Sequence, residues 1–137
     1  MMIGRSRPLT LSQKASVALR SWYWFLTVHA GLRRQALPLL VRRLSTVRRS
    51  REERLPPERV SRGVSRVLRV GPRRARCLIA ALVLFRLLRE QGEPAELVIG
   101  MPGTPQSEEA HAWVEIAHVD VGPPPGRRGH RELARYR

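Results

Sequence analysis

The chain has 137 residues and a formal net charge of +15, with 26 basic and 11 acidic residues. That length suits one small domain, or one domain with a helical extension. One cysteine excludes an internal disulfide, and a zinc site would need three or four suitably spaced Cys, His or acidic ligands. The charge is lopsided: residues 1–76 carry 19 basic and 3 acidic residues, whereas residues 77–137 carry 7 and 8. All but one of the basic residues are arginine, the exception being Lys14.

Residues 1–9 read as a basic tail. Thr10 or Ser12 caps a helix that runs through Lys14, Val17, Leu19 and the Trp22–Phe25 aromatic cluster toward Gly31. Leu32 to Val47 continues in helical style, with Pro38 marking a break or restart. Its uncharged lead-in, Ser21 to Leu32, falls short of the roughly 20 residues a membrane helix needs. The N-terminus also lacks a signal-peptide layout, so a cytoplasmic protein is expected. The aromatics beside arginines leave peripheral contact with a membrane surface open.

Arg48 to Pro57 is a charged hinge, and Glu58 to Val70 a second short amphipathic helix closed by Gly71-Pro72. Arg74 to Gln91 is a strong apolar helix with Gly92 at its C-terminal cap. Ala95 to Met101 reads as a strand, and 102–109 as a polar loop. Ala110 to Ala117 alternates cleanly, with His111, Trp113 and Glu115 on one face and Ala112, Val114 and Ile116 on the other. His118 sits at a turn before a short strand, Val119 to Val121. GPPPGRRG is a loop, and RELARY is expected to form a final helical turn. The division into 1–70, an arginine-rich helical region, and 71–137, an α+β core, follows from this change of style.

The chemistry-bearing residues fall in the second part. Cys77 opens the apolar helix beside Arg74 and Arg76. A helix start and nearby positive charge both favour a thiolate. His111 lies on the alternating strand, and Asp120 follows on the next. A thiol on a helix, an imidazole on a strand and a carboxylate beyond it form a cysteine nucleophile with its base and orienting acid. Trp113 is a candidate wall of the substrate cleft, with core packing the competing role. Glu115 reads as a solvated or scaffold residue. The Cys77 backbone N–H is a candidate oxyanion donor. GMPGTPQS lacks the lysine and spacing of a phosphate loop, and no cofactor is implied.

The run ARCLIAALVLFRLLREQGEPAELVIGM, followed by EAHAWVEIAHVDVGP, resembles the lasso-peptide B2 maturation proteases of the transglutaminase-like superfamily. The resemblance covers roughly Val70 to Tyr136. It implies an α+β fold in which a small papain-like core packs its cysteine helix on a short antiparallel sheet. It also implies a cysteine peptidase that removes the leader of a ribosomally made precursor peptide, with Cys77, His111 and Asp120 as the triad. The partners it implies are the precursor, a lasso cyclase acting on the freed amine, and a separate leader-recognition protein. The first 76 residues show nothing like the mostly β recognition module fused in longer relatives. The apolar and aromatic stretch Trp22 to Leu44 is the candidate docking surface, or else it completes the core.

Two other functions fit the composition. One is a transglutaminase-like acyltransferase using the same triad. The other is a basic adaptor or nucleic-acid-binding protein in which Cys77 is merely buried. The arginines are spread along amphipathic helices with no nucleic-acid module or stacking platform, so nucleic acid is not expected.

Overall fold

The computed structural model describes residues 8–46, 54–68, 73–102, 111–122 and 130–137. Within 73–77, 101–102 and 130–131 it describes the backbone course only. Residues 1–7 of the expected 1–9 tail and most of the 48–57 hinge lie outside these residues. So do residues 103–109 of the expected polar loop and most of the GPPPGRRG loop.

The described residues form four helices followed by a four-stranded antiparallel sheet of order β3-β2-β1-β4, the α+β architecture expected. Helix α1, Leu11–Arg34, begins at a capping box: the Thr10 hydroxyl accepts from the Gln13 N–H while the Gln13 side chain accepts from the Thr10 N–H. It runs past Gly31, and Gln35 ends it in extended backbone. Helix α2, Leu37–Ser45, restarts with Pro38 in its first turn, where a missing N–H costs nothing. Helix α3, Pro57–Val67, crosses α1 closely at Gly63, where an added Cβ would sit 2.8 Å from Val17 Cγ1.

Helix α4, Arg73–Glu90, is the centre of the molecule. From Ile79 to Leu88 it is buried at every position except Arg86, as expected of a helix apolar on all sides. It packs against the other three helices and against strands β1, Ala95–Pro102, and β2, His111–Ile116. Val17, Val28, Leu40, Val41, Leu44, Val60 and Val64 join α4, Leu97, Ala112 and Val114 in one cluster. The division near residue 70 therefore separates two styles of sequence but not two cores.

Polar contacts fix the helices around α4. Arg86 bonds Glu90 at 3.0 Å and donates to the Leu44 carbonyl at 3.1 Å, which supplies a donor to the open end of α2. Its guanidinium also lies 4.3 Å over the Trp24 ring. Arg20 ties α1 to the same Glu90. Gly92, at φ 83°, closes α4 in a Schellman turn: its N–H reaches the Arg89 carbonyl, and that of Glu93 reaches Leu88. This is the cap the sequence predicts.

Among the described residues, strand β3, Val119–Gly122, pairs only with β2, and β4, His130–Tyr136, pairs only with β1. The last segment is thus an edge strand, where the sequence suggests a helical turn. RELARY has helix-forming residues and no apolar alternation, but the open edge of β1 gives its backbone a ladder of partners.

Candidate functional site

The connection between α4 and β1 sets the geometry. Only Gln91 to Pro94 separates them, and the two pack together, so β1 runs back along the helix. Cys77 is thirteen residues before the end of α4, about 20 Å along its axis. Gly100 is five residues beyond Ala95, about 17 Å along β1. Gly100 pairs with His111 on β2. The backbone of Cys77 and His111 therefore come to the same end of the helix–sheet layer, though they are 34 residues apart in the chain. The Cys77 thiol and the Arg74 and Arg76 side chains lie outside the described residues.

Cys77 is the fifth residue of α4, not its first. The N–H groups free of an intrahelical partner are those of the opening turn. The Cys77 N–H thus belongs to the helix ladder, which removes it as an oxyanion donor.

His111 is buried, and its ring stacks on Trp113 with centroids 6.2 Å apart and planes 26° apart. Trp113 is itself 1% exposed. It has no surface left to wall a cleft, so its role is packing and support of the imidazole. Its indole N–H donates to Glu115 Oε2 at 2.7 Å. Glu115 is 1% exposed. It accepts a second bond from Arg135 of β4 at 3.1 Å. Glu115 is therefore a buried scaffold residue rather than a solvated one.

Arg135 also holds Glu96 of β1 at 2.5 Å and Glu132 at 2.6 Å. The hydrogen bonds that Arg135 donates to Glu132 and Glu96 push the guanidinium well above its ordinary range. The Arg135 hydrogen bond in turn holds the Glu96 carboxyl below its usual value, against the opposing effect of burial. His111, Trp113 and Glu115 of β2 and Arg135 of β4 thus form one continuous stack and hydrogen-bond chain. Trp113 and Val98 are buried, yet both are outside the helical core cluster that includes Ala112 and Val114. The two faces of β2 are therefore filled differently, one by aliphatic packing and one by this polar assembly.

Asp120 is on β3, directly opposite Glu115. That places it four residues along β2 from His111, about 13 Å at strand spacing. Its Oδ1 accepts the Gly122 N–H at 2.8 Å. The cause is the tight hairpin, in which Ala117 and His118 both take positive φ, at 51° and 64°. Two left-handed residues reverse the chain at once, so Asp120 pairs next to the turn. The structure brings Cys77 and His111 to one end and leaves Asp120 toward the other.

Among the described residues, no group of three or more His, Cys, Asp or Glu is placed to hold a metal. No described helix is long and apolar enough to cross a membrane.

No curated protein and no solved structure matches the chain. The family model for the transglutaminase-like superfamily matches residues 20–135, most of the chain and all of the sheet except its last strand's end. The match begins inside α1, in keeping with a core that α1 helps to build. With a central cysteine-bearing helix packed on an antiparallel sheet that carries the histidine, the chain belongs to the transglutaminase-like superfamily.

Proposed function

We propose that this protein is a cysteine peptidase that removes the leader from a ribosomally synthesised lasso precursor peptide. The observation that carries the chemistry is the placement of Cys77 and His111 at one end of the α4–sheet layer in a member of this superfamily. The finer assignment to lasso precursors rests on the resemblance of the Cys77 helix and the AHAWVE strand to the B2 proteases.

In this reading the Cys77 thiolate attacks the carbonyl at the end of the leader. His111 takes the thiol proton and returns it to the departing amine of the core peptide. Water then opens the thioester, releasing the leader carboxylate and restoring the thiol. A separate leader-recognition protein presents the precursor, and a lasso cyclase consumes the freed amine. The stack on Trp113, fixed through Glu115, supports the imidazole in the position that a third residue occupies in a triad. Asp120 would have to leave the Glu115 register to take that part.

The test is incubation of the protein with precursor and leader-binding partner, followed by mass spectrometry. Separate leader and core are expected, with none from Cys77→Ala or His111→Ala. A product joined by a new isopeptide bond would instead establish the acyltransferase reading. Native-state alkylation separates both from a non-enzymatic adaptor, in which a buried Cys77 resists the reagent. Asp120→Asn is expected to retain most of the activity. A loss as severe as that of His111→Ala would return Asp120 to the triad.

A further inference from the structure

Helix α1 is apolar on two opposite sides. Val17, Ser21 and Val28 face the core. On the other side Leu11, Leu19, Trp22, Tyr23 and Leu26 are 85%, 72%, 46%, 62% and 63% exposed. Leu19, Trp22, Tyr23 and Leu26 follow one another at helical spacing, and Leu11 lies two turns earlier on the same stripe. The stripe spans about 22 Å of helix from Leu11 to Leu26. The core covers one of these sides, and among the described residues the other stays exposed.

The surrounding charge selects the partner. Neither α1 nor α2 contains an acidic residue. Lys14, Arg33 and Arg34 are exposed on α1 itself, and Arg42 and Arg43 on α2. A net charge of +15 opposes the approach of a second copy. The stripe is also convex, on one helix, and its tryptophan and tyrosine are the side chains suited to the boundary between water and lipid. A convex apolar stripe on a helix whose own charged residues are all basic fits a deformable anionic surface better than a grooved protein.

We propose that α1 docks the protein peripherally on an anionic lipid bilayer, with Leu19, Trp22, Tyr23 and Leu26 entering the interface and the arginines meeting the headgroups. The inference is independent of the peptidase reading.

The full chain is sedimented with vesicles of phosphatidylcholine alone or mixed with phosphatidylglycerol. Retention on the mixed vesicles, weakened by added salt, is expected. The triple variant Leu19→Ser, Trp22→Ser and Leu26→Ser should bind at least about tenfold more weakly, given the apolar area each side chain removes from water. Its circular dichroism should be unchanged, since these positions are exposed. Arg33→Ser with Arg34→Ser should lower both the binding and its salt dependence. No retention of the wild type, or equal retention of the triple variant, overturns the proposal. So does a wild-type dimer that the triple variant dissolves, which assigns the stripe to a second copy. Binding to an acidic polypeptide but not to mixed vesicles overturns it in favour of a protein partner.

Discussion

Replacing Arg135 with Ala tests whether the polar assembly behind His111 holds the sheet together. Arg135 is the countercharge of Glu115, which is 1% exposed and 3.1 Å away. It also joins β4 to β1 through Glu96. Removing one member of a buried pair costs about 3–5 kcal/mol, because the remaining charge has lost its compensation. Glu115 keeps the Trp113 indole N–H, so the lower end, about 3 kcal/mol, is expected. Against a typical stability of about 5–15 kcal/mol this is a large fraction. The corresponding fall in Tm is roughly 10 °C for a chain of this size. Urea unfolding followed by circular dichroism measures it. Glu115→Gln removes the charge while its amide oxygen still accepts from Trp113. The double variant should therefore be more stable than the two single losses predict, by at least about 1 kcal/mol. A cost for Arg135→Ala below about 1 kcal/mol, the range of exposed ion pairs, would refute the reasoning. So would strict additivity of the two changes.

Three further outcomes follow from the same geometry. Glu96 is held below its usual carboxylate value mainly by the Arg135 hydrogen bond. Its contribution is therefore present above the unfolded carboxylate range and is lost as pH falls through the folded value. Acid unfolding of the wild type should show this loss, and Arg135→Ala should flatten it. Gly63→Ala would put a Cβ 2.8 Å from the β-branched Val17 side chain. The α1–α3 crossing should then weaken by about 1–3 kcal/mol in urea titration. An unchanged midpoint would mean the helices separate freely. Finally, Ala117 and His118 hold positive φ without being glycine. Ala117→Asn with His118→Gly should relieve about 1–2 kcal/mol of backbone strain. A rise in Tm is expected, and a fall would contradict the hairpin described here.

The sequence by itself determines the elements whose signals are local. An uninterrupted apolar run makes α4 a central helix, Gly92 closes it, and the alternation of HAWVEI makes β2. The motifs around Cys77 and His111 are legible for the same reason, as fixed residues at fixed spacing. Tertiary structure decides whatever depends on a partner far along the chain. RELARY becomes a strand because the edge of β1 is open to it, although nothing in its own pattern alternates. Glu115 is a buried residue because Arg135, twenty positions later, neutralises it. Asp120 is kept from His111 by a two-residue turn that uses neither glycine nor asparagine, so the usual turn signal is missing. In the aromatic cluster Trp24 and Phe25 pack against the core while Trp22 and Tyr23 face outward. The helical period orders them around α1, but only the position of α4 determines which side is inside.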